Sequence, residues 1–276
     1  MSVPYLTVCI LCAFLGIAFL YRFCLVFRSS REGYETGACK TIGSREIQMD
    51  YFTIEENENG LLAGGGGGGG EKRGGGVAAK TVIRVFKEIF ETYNMADHPS
   101  YFFKKAFQTA NREILKQMDE GRGMAAVSAV MIQGGFLFYG IVGNVKIAVF
   151  RNEELIPLGT GHTVDVLAQD KYVEGVLTRE DALSMLQEKR IYNYLGRDGF
   201  KEIQFYDKPV RLQEGDVVSV FSNGMQESVT WKEMEDCLAR KKNCKRMAFD
   251  LVELVNQKKG DKDNASVILI RVGEMT

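Results

Sequence analysis

Apolar positions along this chain switch between a helical and a strand period, and the switches fall in an order that groups strands and pairs helices. From Val77 to Tyr93 the residues Val77, Val82, Val85, Phe86, Ile89 and Phe90 follow the 3.6 period, and Tyr101 to Met118 predicts a second amphipathic helix. Ala125 to Phe150 reads as three consecutive strands, separated by the turn signals Gln133-Gly134-Gly135 and Gly143-Asn144. Thr178, followed three positions later by Asp181 and then by apolar residues, opens like a capped helix. Two strands flank Gly215-Asp216, helices are predicted over Trp231–Arg240 and Arg246–Gln257, and Ser266–Val272 is a closing strand. Upstream, Asp50–Ile54 alternates as a strand and Gly60–Ala63 reads as the end of another. Strand clusters separated by helix pairs, without strict alternation, predict an α+β fold with helices packed on antiparallel sheets.

The N-terminus departs from this pattern. Val3 to Tyr21 carries no charge over 19 residues, which as a helix spans about 28 Å, close to the ~30 Å hydrocarbon core of a bilayer. A signal peptide is the competing reading, but no Lys or Arg precedes Arg22. Arg22, Arg28 and Arg31 all follow the run, so the positive-inside bias predicts a single-pass anchor over residues 1–28 with the rest of the chain cytoplasmic. Residues 29–40 are polar with two glycines and read as a juxtamembrane linker, leaving 41–274 as the folded domain.

Composition changes this picture little. The 276 residues hold 35 basic and 36 acidic side chains, which removes any argument for nucleic-acid binding. Of six cysteines, Cys9, Cys12 and Cys24 lie in or beside the apolar run, and Cys39, Cys237 and Cys244 lack zinc-type spacing. Acylation of Cys24 is the only modification they suggest.

Gly64 to Gly70 is seven glycines in a row, followed by Glu71-Lys72-Arg73 and Gly74 to Gly76. A nucleotide-binding loop would need Gly-Lys-Ser/Thr directly before the helix, and Gly70 is followed by an acid. The plain expectation is a flexible surface loop without chemistry.

Several fragments, in order, resemble the metal-dependent serine/threonine protein phosphatases of the PPM type. Arg45, Gln48 and Asp50 fit the first motif, with Met49 where an acidic residue is usual. Gly60 to Ala78 is similar to the strand, Asp-Gly-Met-Gly-Gly turn and helix of that family, with glycine throughout the turn. Asn144 stands for the aspartate of a Gly-Asp-Ser-Arg strand, and Gly161-His162-Thr163 resembles an Asp-His-Thr segment. Tyr192–Gly196 matches a Leu-Gly stretch, Ser222-Asn223-Gly224 a Ser-Asp-Gly turn, and Asp263-Asn264 is retained. The resemblance covers about residues 36 to 273 and implies a four-layer α-β-β-α sandwich.

What it implies chemically is a di-metal site with ligands missing. In that family two Mg²⁺ or Mn²⁺ ions activate a water for in-line attack on phosphorus. Asp50 and Asp263 are the retained ligand positions, and Asn223 is a substituted one that keeps a carbonyl oxygen but no charge. The bridging aspartate falls at one of Gly65 to Gly67, with Gly66 as the central choice. Glu71 is the one acid that could swing in, at the cost of ordering the loop. No metal is expected at high occupancy, with Mn²⁺ or Mg²⁺ bound only if activity survives. Arg45 is a possible phosphate contact, against a surface ion pair. His162 is expected to be structural, His98 a loop residue, and Trp231 a packing anchor. These readings predict a membrane-anchored pseudophosphatase that binds a phosphoprotein or a kinase-type partner. The alternatives are an active or weakly active metal-dependent serine/threonine phosphatase and a scaffold that does not bind phosphate.

Overall fold

The computed structural model describes Gly16 and residues 33–273, apart from 71–72, 95–97, 188–189, 201 and 207. Two antiparallel sheets lie face to face. One runs in the order β1 (Tyr34–Thr41), β11 (Ala265–Val272), β10 (Val217–Phe221), β6 (Lys146–Arg151), β7 (Glu154–Pro157). The other runs β2 (Asp50–Asn57), β3 (Gly60–Gly70), β4 (Gly123–Gln133), β5 (Phe136–Val142), β8 (Gln204–Phe205), with β9 (Val210–Arg211) also paired to β5.

Three apolar clusters bind the layers. Between the sheets, Leu61, Ala63 and Val130 meet Ile147, Val220 and Ile268. Outside the second sheet, α1 (Gly74–Glu91) and α2 (Pro99–Gln117) bury Val82, Phe86, Phe103 and Phe107 against Leu62 and Met131. Phe86 and Phe107 meet edge to face at 5.0 Å. Outside the first sheet, α6 (Trp231–Leu238) and α7 (Cys244–Gln257) bury Met234 and Leu251 against Phe221 and Leu269. Each such side chain contributes about 1.5–3 kcal/mol of burial. Together they give the α-β-β-α sandwich expected from the resemblance. The shorter helices α3 (Val164–Val173), α4 (Arg179–Met185) and α5 (Asn223–Ser228) complete the fold.

Local signals explain the helix ends. The Thr178 hydroxyl accepts from the Asp181 N–H at the start of α4. Thr230 and Glu233 form a full capping box on α6. Trp231 donates to the Leu155 carbonyl at 2.7 Å and packs on Phe221, so it is an anchor as expected. His98 is exposed as expected, but it also caps α2 by accepting from the Ser100 N–H.

Two expectations are corrected. The polar stretch read as linker through residue 40 contains β1, so among the described residues the folded domain already includes Tyr34–Lys40. Gly37 is part of the reason: a Cβ there would collide with the backbone of Cys244, so glycine permits α7 to lie on β1. The glycine run is not a surface loop. It is the C-terminal part of β3, paired with β4 throughout and with β2 as far as Gly67, which stands opposite Asp50 on β2 and Ala126 on β4. Gly68 faces α1, where a Cβ would strike the Gly75 carbonyl, and Gly74 and Gly75 sit equally tight against β3 and β4. Helix and sheet backbones approach to a distance that only glycine allows.

The apolar run at 3–21 lies outside the described residues except for Gly16. Among the described residues no helix is long and apolar enough to cross a membrane.

Candidate functional site

β2, β3, β10 and β11 bring the predicted positions to one cavity of about 290 Å³ at one end of the sandwich. Asp50, Gly67, Asn144, Asn223 and Asp263 all line it, together with Ser222, Asn264, Arg190 and Tyr194.

Asp50 begins β2 and is 4% exposed. Burial pushes its carboxyl up to about 6, and nearby Asp263 pushes the same way. The Ser222 and Ser266 hydroxyls and the Lys40 ammonium pull it down, yet Oδ2 has no hydrogen-bond partner. Lys40 itself donates to the Asp50 backbone carbonyl at 2.8 Å. A buried carboxylate oxygen without a donor is costly, and a cation is one of the few things that would satisfy it.

The strand register settles which glycine faces this acid. A Cβ on Gly67 would stand 3.0 Å from Asp50 Oδ1, whereas one on Gly66 would point at Ala126 and Val127 on the other face. The position opposite Asp50 is therefore Gly67, one residue on from the central choice Gly66. The pleat decides this, because successive residues of a strand face opposite ways. Glu71 lies outside the described residues.

The opposite wall is built differently. Asp263 is 40% exposed at its side chain, and its Oδ1 accepts from Arg45 Nε at 3.0 Å and from the Asn264 N–H at 2.9 Å. Arg45 also reaches Asp261 at 3.4 Å. Its guanidinium is thus engaged in the surface ion pairs that were the alternative to a phosphate contact. Arg45 lines a neighbouring groove of about 460 Å³ that shares Gly68, Gly69 and Asp263 with the cavity. Asn223, at the first turn of α5, donates its amide to Glu227 at 2.7 Å. Its side chain is oriented by that i,i+4 bond.

Asn264 is a clip: its Oδ1 accepts from the Met49 N–H at 2.6 Å and its Nδ2 donates to the Ile42 carbonyl at 2.8 Å. It ties the start of β11 to the segment that delivers Asp50. Ser222 accepts from the Ser266 N–H at 3.0 Å and extends the β10–β11 pairing toward Asp50. Ser222 and Asn264 sit inside the Ser-Asn-Gly and Asp-Asn segments, so those motifs pointed to them, while Ser266 lies two residues further on in β11. Tyr194 falls inside the Tyr192–Gly196 stretch, which the resemblance had marked without giving it a role at the site, whereas nothing in the sequence pattern marked Arg190; both reach the cavity from the segment after α4.

His162 is buried and does not line the cavity. Its Nδ1 accepts from the Gly143 N–H at 3.1 Å, and burial lowers its pKa, which fits the structural role expected. It fixes the turn that presents Asn144.

The donor set does not suit a pair of dications. Asp50 and Asp263 are the only carboxylates among the described lining residues, and among the described residues no three acidic, His or Cys side chains are grouped so that they could hold a metal ion. Hard cations need several anionic oxygens to offset their charge. The neutral amides of Asn144 and Asn223 offer carbonyl oxygens only.

Relatives share the fold. No protein-family model matches the chain. The serine/threonine phosphatase stp of Listeria monocytogenes is 26% identical over 202 residues, 70% of this chain and 77% of that protein. The solved serine/threonine phosphatase of S. agalactiae is 26% identical with a TM-score of 0.74, covering 87% of this chain and 99% of its own. The catalytic domain of the serine/threonine protein phosphatase PstP, solved with 2 manganese ions, is 20% identical with a TM-score of 0.68, covering 87% of this chain and 99% of that one.

Proposed function

We propose that this chain, which homologues and structural neighbours support as a PPM-type serine/threonine phosphatase-like protein, is a pseudophosphatase tethered to a membrane by its N-terminal apolar run. The observation that carries the reading is the pairing of Asp50 with Gly67. The strand position that faces the buried carboxylate offers no side-chain oxygen, so a second metal has no shared anionic ligand. Asn223 removes a further charge, and its amide is committed to Glu227. Two losses at ligand positions exceed the ~10–100-fold effect of losing an outer-shell partner.

In this reading the cavity is a recognition surface. Asn144, Asn223, Arg190 and Tyr194 supply polar and aromatic contacts around Asp50, suited to a phosphoprotein segment or a kinase-type partner. Arg45 and its groove extend that surface.

The test is turnover of p-nitrophenyl phosphate and of a phosphoserine peptide by the full chain in Mn²⁺. We expect none above the uncatalysed rate. Saturable turnover that disappears in Asp263→Ala would replace this reading with the one alternative that has structural support, a weakly active enzyme. That alternative rests on Asp50, Asp263 and the Asn223 carbonyl lining one cavity.

A further inference from the structure

The end of the sandwich opposite the cavity is where the chain leaves toward the apolar N-terminal run. β1 starts there: Tyr34 pairs with Val272 and Glu35 with Arg271, while its other end, Thr41, pairs with Ala265 beside the site. Eight residues of strand separate the two ends, roughly 25 Å at about 3.3 Å per residue.

Against the start of β1 lies the connection from α6 to α7, and it is densely basic. Glu35 Oε1 accepts from the Cys244 N–H at 2.9 Å, and Arg271 bridges Glu35 and the Lys242 carbonyl. Gly37 lets this loop seat directly on the strand. Around that contact Arg240, Lys241, Lys242, Lys245 and Arg246 are all exposed. Lys242 and Arg246 share Asp250. Arg240, Lys241 and Lys245 form no ion pair among the described residues. Lys241 holds a left-handed backbone with φ of 51°, which projects the turn outward from the helix ends. Phe249, 44% exposed, lies under the Arg246 guanidinium at 5.1 Å. The exposed acids at this end of the sheet are Glu153 and Glu154 at the β6–β7 turn, with β7 the edge farthest from β1, and Glu214 in the turn before β10, whose neighbour Gly215 donates to the Val272 carbonyl; the five cations of the loop outweigh that one nearer acid.

We propose that the basic loop 240–246, with Phe249, is a docking surface for an anionic lipid headgroup layer, and that it orients the domain with its cavity facing away from the bilayer. The proposal rests on the membrane-tether reading of the previous subsection. The tether and the loop leave the fold at the same pole, and Arg22, Arg28 and Arg31 of the intervening sequence carry the same sign. A basic residue held at an anionic surface strengthens partitioning about fivefold, and an exposed aromatic adds interfacial anchoring. Three unpaired cations make a combined effect on the order of 100-fold, sensitive to salt.

The test reconstitutes the full chain in nanodiscs of neutral phosphatidylcholine and of phosphatidylcholine with about a third phosphatidylserine, and reads amide exchange across 238–249. The expected result is several-fold slower exchange in the anionic discs. It should be lost at high salt and in the triple variant Arg240→Glu/Lys241→Glu/Lys245→Glu, with both proteins incorporated equally. Equal exchange in both lipids would overturn the lipid surface while leaving the tether intact. A chain that does not enter neutral discs would instead overturn the tether. In that case co-sedimentation with anionic vesicles decides the loop: an approximately 100-fold preference for them over neutral vesicles, removed by the triple variant, supports it, and equal sedimentation overturns it.

Discussion

The two walls of the cavity handle charge in opposite ways. On the β2–β3 wall, Asp50 is buried, lacks a partner at Oδ2 and faces a bare glycine. On the β10–β11 wall, Asp263 and Asn223 are open to solvent but already bonded, to Arg45 and to Glu227. One wall keeps an unsatisfied anion, and the other has placed its donors and acceptors in local pairs. The contrast shows two ways in which the charge of one cavity is set: by leaving a buried carboxylate unpaired opposite a residue without a side chain, or by engaging solvent-facing groups in local pairs.

The largest expected effect breaks the glycine wall. Gly68→Ala should destabilise the protein by about 3 kcal/mol or more, because its Cβ meets backbone of α1 that cannot move aside. Gly65→Ala, whose Cβ has ordinary contacts at 3.8 Å, should be neutral or slightly stabilising. Thermal unfolding of the two variants checks this, and equal midpoints would mean that the run is not held as a strand.

Next comes Asp50. Its folded pKa of about 6 lies above the ordinary 3.8, so the folded state holds the extra proton between those values. Its contribution is fully present below about pH 4 and is lost as pH rises through about 6. The cost of the buried anion at neutral pH is up to about 3 kcal/mol. Asp50→Asn should therefore stabilise the metal-free protein at pH 7 and flatten the stability profile between pH 4 and 6. A loss of stability at pH 7 in the metal-free variant would show that the Ser222 and Ser266 hydroxyls and Lys40 outweigh the burial of the carboxylate.

Restoring charge sharpens the comparison further. Asn223→Asp alone should change Mn²⁺ affinity little and should repel Glu227, whose carboxylate now accepts the amide. Combined with Gly67→Asp, calorimetry should read a gain in affinity of at least ~10-fold, about 1.4 kcal/mol. No gain would mean that Gly67 does not face the missing position. The smallest effect is expected of Arg45→Ala: its exposed pairs with Asp261 and Asp263 contribute about 0–1 kcal/mol and weaken with salt.

Much of the fold was legible before any coordinates. The helical stripe of α1, the three strands from Gly123 to Arg151 and the cap at Thr178 each carry their own signal, and the structure follows them within a few residues. The site was legible as a set of positions because motif segments kept their order. Its geometry was not: the pairing of Arg45 with Asp263, the clip made by Asn264, and the reach of Arg190 and Tyr194 all join residues far apart in the chain. β1 was missed because Tyr34–Thr41 is half-buried on an edge and shows little alternation.

By itself the sequence determined where apolar side chains repeat, hence which segments become helices and strands, and which carboxylates remain. It could not say what seven glycines do, since a residue without a side chain has no periodicity to read. Only the tertiary structure decided that, by pressing α1 onto β3 and β4 so closely that a Cβ is excluded, and by turning Gly67 toward Asp50. Secondary structure here follows from local side-chain pattern, while the character of the site follows from backbone packing between distant segments.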